Sequence, residues 1–146
     1  MGRSSLPRGL RLINPGNIRI SGDLYLGEVR PSGDKSFKRF VSVAYGYRAI
    51  FRVLRTYHDR HGLGTVRGMI TRWAPPGEND TSGYVRNVSA WSGIDPDAPL
   101  NVGDGDTMCR IVAAMSRMEN GVEADMADVR AGWDLFAGGS DHGEDR

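Results

Sequence analysis

The chain of 146 residues holds a single cysteine, Cys109. One thiol excludes an internal disulfide framework and a multi-cysteine zinc site. Histidine is almost as scarce: His58, His61 and His142 supply little for a metal centre, and no metal or cofactor is expected. No apolar run approaches the roughly 20 residues that a membrane span needs. The opening stretch MGRSSLPRGLRLINPGN has no long apolar core, so no secretory signal is read there. A Gly-x-x-x-x-Gly-Lys phosphate loop and a Gly-x-Ser-x-Gly nucleophile elbow are both missing. Lysine is nearly missing too, with only Lys35 and Lys38 beside 17 arginines. No nucleic-acid-binding motif occurs, which ranks nucleic acid last among partner classes. What remains is ordinary globular composition, 39% hydrophobic and 25% charged, in a length that suits one core. The 20 glycines follow no three-residue period and therefore mark turns.

The net charge of +1 conceals a split. Residues 1–73 hold 14 Lys and Arg against 4 Asp and Glu, whereas residues 74–146 hold 5 against 14. Such a division fits a polyanion-binding face, a subunit interface, or two halves that pack together and partly neutralise each other.

Residues 1–10 read as a polar, flexible arm and residues 138–146 as a disordered acidic tail. A single domain is expected over 11–137. Asn14-Pro15-Gly16-Asn17 is a turn cluster. Ile18, Ile20, Leu24 and Leu26 then read as two short strands around Ser21-Gly22-Asp23, and residues 36–43 as a third strand. From Tyr45 the period becomes helical, with Tyr47, Ile50, Phe51, Leu54, Tyr57 and His61 on one face and Gly62 as the stop. Thr65 is the expected cap of a second helix ended by Pro75-Pro76, and Asp80 or Thr81 the cap of a third that closes at Gly93. Asp106 is read as the cap of a fourth helix ending at Gly121. Met126, Val129, Trp133 and Phe136 mark a fifth. A small N-terminal antiparallel sheet followed by about five short helices is an α+β layout.

Glu119 is the first candidate for chemistry. It extends the apolar stripe of Met108 and Met115 and sits at the C-terminal end of its helix. Both the helix dipole and the apolar surroundings there disfavour a charged carboxylate. A carboxyl group held as its acid is what a glycosidase general acid requires; a frayed last turn in solvent is the plain alternative. The second candidate is the hairpin region, where Asn14, Asn17 and Arg19 offer donors and Asp23 or Glu28 a further carboxylate. Turn chemistry alone accounts for Asn14 more readily than for Asn17 and Arg19. The third is the segment from Trp73 through Asn79 to Tyr84, with an aromatic at each end and amide and acid groups between. It can line a saccharide groove, or serve as a helix connector with Trp73 in the core. Cys109, inside a helix without a nearby histidine, is not read as a nucleophile.

The combination Asn14-Pro15-Gly16-Asn17-Ile18-Arg19, Phe37-x-x-Phe40, Gly46-x-Arg48-Ala49, Arg72-Trp73-Ala74-Pro75, Glu78-Asn79-x-Thr81-x-x-Tyr84 and Glu119-Asn120-Gly121 resembles a family. It is similar to the small virion structural proteins of tailless, membrane-containing bacterial viruses and of prophages, over about residues 9–121. The resemblance implies a virion-associated protein, present in the host cytoplasm before release, with other virion proteins as partners. More remotely, the chain resembles lysozyme-like peptidoglycan hydrolases, bacterial glucosaminidases above all. Glu119-Asn120-Gly121 resembles their Glu-bearing helix end, and Asn14–Arg19 with Phe37 and Phe40 their hairpin, in circularly permuted order. That likeness implies a lysozyme-like fold acting on peptidoglycan glycan strands. It makes Glu119 the general acid and Glu28 the next choice, and puts substrate contacts at Asn17, Arg19, Trp73, Asn79 and Tyr84. A non-catalytic virion or interaction protein is the alternative.

Overall fold

The computed structural model describes residues 6–139. Along these the order is α1 (Arg8–Arg11), β1 (Glu28–Val29), β2 (Arg39–Phe40), α2 (Val43–His61), α3 (Val66–Trp73), α4 (Thr81–Ser92), α5 (Gly105–Asn120) and α6 (Met126–Gly138). The two strands pair antiparallel, Glu28 opposite Phe40 and Val29 opposite Arg39. This is the α+β arrangement expected from the sequence. Residues 8–10, assigned to the arm, instead begin α1, where Gly9 is buried. The acidic tail from residue 140 onward, like residues 1–5, lies outside the described residues.

The hairpin expected around Ser21-Gly22-Asp23 does not form. Residues 18–20 pair instead with 36–38: Arg19 bridges Phe37, Ile20 N donates to Ser36 O at 2.8 Å, and Lys38 N donates to Ile18 O at 2.9 Å. Leu24 and Leu26 stand 56% and 44% exposed. The cause is Asn14, whose buried amide must be satisfied. Its Nδ2 donates to Ile18 O at 3.0 Å and to Lys38 O at 2.9 Å, and its Oδ1 accepts from Ile18 N. One side chain thereby joins the turn to the distant strand. The strand read over 36–43 shortens to β2, with Lys38 and Phe40 turned inward and Val41 outward.

The helices follow their apolar stripes, and their ends follow capping chemistry. Ser42, Thr65 and Asp80 each accept a hydrogen bond from a backbone N–H in the first turn, and Gly62, Gly93 and Gly121 end helices in the left-handed region. The cap of α5 is Asp104, which accepts from Thr107 N, rather than Asp106, which lies within the first turn. Starting two residues earlier seats Gly105 against the Trp133 indole.

The core gathers around α2. Ile50, Phe51 and Leu54 meet Met69 and Ile70 of α3, Val88 of α4, Ile111, Val112 and Met115 of α5, and Val129 of α6, all at most 1% exposed. Phe51 packs edge-on to Trp133, with ring centroids 5.1 Å apart. Gly132 lets α6 approach α2 closely, since a Cβ there would fall 2.5 Å from Tyr47 Cβ and 2.9 Å from Ala44 O. No helix of the described residues is long and apolar enough to cross a membrane.

Candidate functional site

The turn formed by residues 14–17 meets the C-terminus of α5. The turn 14–17 packs on α2 and α3 through Gly16, where a Cβ would lie 2.9 Å from Ile50 Cγ1 and 3.1 Å from Trp73 Cη2. Asn120, 6% exposed, donates from Nδ2 to Pro15 O at 2.9 Å and to Ser116 O at 3.0 Å. In return Asn17, whose φ of 50° places it in the left-handed region, donates from Nδ2 to Glu119 Oε1 at 3.0 Å. Turn and helix end are thus joined in both directions by side-chain amides. Asparagine tolerates the left-handed region better than most residues, which explains why this position can be side-chain-bearing at all.

Glu119 is half-buried and is held from three sides. Besides Asn17, Trp73 Nε1 donates to Oε2 at 3.2 Å and the Tyr84 hydroxyl donates to Oε2 at 2.9 Å. The donors come from the N-terminal turn, α3 and α4. Burial first, and then the adjacent Glu119 carboxylate, push the Tyr84 hydroxyl above its ordinary range, so it stays a donor throughout neutral pH.

Glu119 lines a cleft of about 610 Å³. Asn17, Arg19, Trp73 and Asn79 line it too, together with Phe37. Four of the five residues assigned to substrate contact therefore line the same cleft as Glu119, and two of them, Asn17 and Trp73, bond to it. Tyr84 is not on the cleft surface: it is 6% exposed and stands behind Glu119. Asn79 ties its Nδ2 to Pro75 O at 3.0 Å, closing the Pro75–Asn79 loop.

Glu28, the second candidate acid, does not line the cleft. Its side chain is 3% exposed and accepts from Lys38 Nζ at 3.0 Å on both oxygens. Burial alone would raise its pKa, but hydrogen bonds from Arg30, Lys38 and Tyr25 N outweigh this and hold it below the usual glutamate value. Lys38 is fully buried and also donates to Asp23 O at 2.8 Å. The period-2 pattern around residue 38 offers no signal for a buried lysine, and the sequence reading missed it. Asp23, the other acid of that region, does line the cleft, as does Glu78.

The cleft also carries residues that the sequence reading did not assign to it. Arg8 is one: beside the already assigned Arg19 it lies over the Phe37 ring, the two guanidinium carbons 4.2 and 5.1 Å from the ring centroid. Arg52, Thr56 and Arg60 of α2 recur every four residues on the cleft side. That spacing was legible, but it was read only for the apolar face of the same helix. Among the described residues no group of three His, Cys, Asp or Glu side chains is placed to hold a metal ion.

The fold is thus α+β, with a carboxylate held by three side-chain donors at a cleft. No protein-family model matches the chain. Over 117 residues it is 40% identical to Protein P5 of Pseudoalteromonas phage PM2, a match covering 78% of this chain and 71% of that protein. The chain belongs to the family of this phage protein.

Proposed function

We propose that the protein is a phage- or prophage-encoded peptidoglycan hydrolase that cleaves the glycan strand, with Glu119 as general acid. The observation that carries this reading is the Glu119 carboxylate itself. It faces a cleft large enough for sugar rings and is fixed by Asn17, Trp73 and Tyr84. A general acid must hold its carboxyl group in one orientation, and three donors from three elements supply that orientation; Oε2 accepts from two of them, which leaves Oε1 to carry the proton that is delivered. Glu119 gives its proton to the glycosidic oxygen while the bond from that oxygen to the anomeric carbon breaks. The cationic sugar left behind is captured by water or by one of its own hydroxyls, whose proton passes to the Glu119 carboxylate and restores the acid. Asn17 and Arg19 position the sugar and its N-acetyl group, and Trp73 offers an aromatic face. Tyr84 acts as a positioning residue through Glu119.

Purified wild-type protein and Glu119→Gln are incubated with Gram-negative sacculi, and turbidity and released muropeptides are followed. Loss of activity in the variant, with an unchanged circular dichroism spectrum, is the expected result. The masses of the products, which differ by one water, separate hydrolysis from capture by a sugar hydroxyl. Retained activity in Glu119→Gln would remove Glu119 from the chemistry.

The second reading is a non-catalytic virion protein. Kinship with a phage protein supports it, as do the apolar side chains of Ile20, Leu24, Leu26 and Val41, each at least 44% exposed. A wild-type protein inert on sacculi across pH and salt, yet recovered in purified particles, would select this reading.

A further inference from the structure

The cleft is cationic beyond what an uncharged sugar requires. Arg8, Arg19, Arg52, Arg60 and Arg72 line it, with His61, against the three carboxylates Asp23, Glu78 and Glu119. Elsewhere on the surface Arg30, Arg67, Arg110 and Arg130 are each matched to an acid, Glu28, Asp97, Asp106 and Asp106, whereas the exposed Arg11 and Arg86 make no ion pair among the described residues. In the cleft, Arg8 and Arg19 lie over Phe37 and Arg72 lies over Tyr57, and Arg8, Arg19, Arg60 and Arg72 make no ion pair among the described residues. Arg60 and Arg72 are exposed on neighbouring helices. On α2 the stripe of Arg52, Thr56 and Arg60 spans about 12 Å at 1.5 Å per residue. Five of the 14 Lys and Arg of residues 1–73 thus line this one cleft.

We infer that the α2–α3 wall of the cleft, through Arg60 and Arg72, binds carboxylates carried by the substrate as side groups. It thereby selects glycan strands bearing their acidic peptides over bare glycan. The inference rests on the proposed glycan-cleaving activity and names its substrate class. The chemistry is that of the guanidinium fork, which meets a carboxylate through two parallel hydrogen bonds and keeps its charge at any working pH. A neutral sugar chain needs none of this. Polar side chains and an aromatic face would serve it, and unmatched arginines would only repel one another.

The test uses the full chain as Glu119→Gln, so that bound strands are not cleaved. Fluorescently labelled glycan strands of matched length are titrated and followed by anisotropy, either with their peptides or stripped of them by an amidase and then coupled to methylamine, so that the lactyl carboxylates freed by the amidase are neutral amides. The peptide-bearing strand is expected to bind about tenfold more tightly at about 50 mM salt, with the difference shrinking at about 500 mM. Adding Arg60→Gln and Arg72→Gln together is expected to reduce that difference to about twofold or less, as two charge-assisted contacts are lost. Arg86→Gln, an exposed arginine away from the cleft, leaves it in place. Equal affinity for the two strands, or a difference that survives the double substitution, overturns the inference. If wild-type protein still cleaves the bare strand, such a result leaves the proposed activity standing. Neither binding nor cleavage of any glycan overturns both. Labelled duplex DNA bound as tightly as the peptide-bearing strand, and lost with the same two arginines, overturns the inference in favour of a nucleic-acid surface.

Discussion

The side-chain amide of Asn17 donates to the carboxylate of Glu119 at 3.0 Å across 102 residues of sequence. Asn120, the next residue, returns a bond to Pro15 O at 2.9 Å. The Asn-Pro-Gly-Asn turn and the Glu-Asn-Gly helix end are therefore two halves of one structure. Its geometry depends on a residue in the left-handed region that is not glycine.

Asn17 has two separable roles, backbone and side chain. Asn17→Gly removes the bond to Glu119 but suits a φ of 50°. Asn17→Ala removes the same bond and adds backbone strain of about 1 kcal/mol. Both variants are expected to lose activity on sacculi to a similar extent, while Asn17→Ala unfolds at lower denaturant by that further increment. Equal stability of the two would show that the turn relaxes out of the left-handed region.

Tyr84→Phe deletes the hydroxyl that reaches Glu119 Oε2 at 2.9 Å and keeps the buried ring. Stability is expected to fall by only about 1 kcal/mol. Turnover is expected to fall about tenfold or more, with KM little changed, because the loss concerns orientation of the acid rather than contact with the sugar. A change confined to KM would place Tyr84 on the substrate instead.

Glu28 and Lys38 form a buried pair, with side chains 3% and 0% exposed. Glu28→Gln leaves a buried ammonium without its counter-charge and is expected to cost about 3–5 kcal/mol in urea unfolding. Glu28→Leu combined with Lys38→Met is expected to recover most of that loss, since an apolar pair needs no desolvated charge. The pH dependence has a definite sign. The folded pKa of Glu28 is lowered from 4.5, so its stabilisation is fully present above that value and is lost as pH falls through the lower, folded one. The double variant should flatten the acid limb of the stability curve over that window. An unchanged acid limb would assign acid unfolding to other carboxylates.

Gly9 lies beneath three oxygens of the joint. An added Cβ would overlap Asn120 Oδ1 and lie 2.7 Å from Asn14 O and 3.0 Å from Asn17 Oδ1. Gly9→Ala is expected to cost about 1–3 kcal/mol and to reduce activity by moving Asn17 away from Glu119. A control, Gly22→Ala, meets no atom within 4 Å and should leave both unchanged. Loss of stability without loss of activity would show that the joint shifts as a unit.

Much of the fold was legible because helices are local. The stripe from Tyr47 to Tyr57, the caps Thr65 and Asp80, and the left-handed stops Gly62, Gly93 and Gly121 all act within a turn or two of chain. The place of Glu119 at its helix end was legible for the same reason; the three donors around it, where apolar surroundings were expected, were not, because they come from other elements. The N-terminal sheet was less so. Alternation at Ile18–Leu26 matched a local hairpin, but the partner strand was chosen by the buried amide of Asn14 from 24 residues away. Lys38 was opaque, because a lysine enters the interior only when the fold brings it an acid, and Glu28 is not its sequence neighbour.

By itself, then, the sequence determined the helical segments, their ends, the α+β class and the uneven charge, since each depends on residues close along the chain. Tertiary structure alone decided which candidates share a cleft. It set Asn17, Trp73 and Tyr84 on Glu119, turned Glu28 away into an ion pair, and gathered arginines from α1, α2 and α3 around one opening. Those relations join residues tens to a hundred positions apart, and only the packing of the helices around α2 sets their distances.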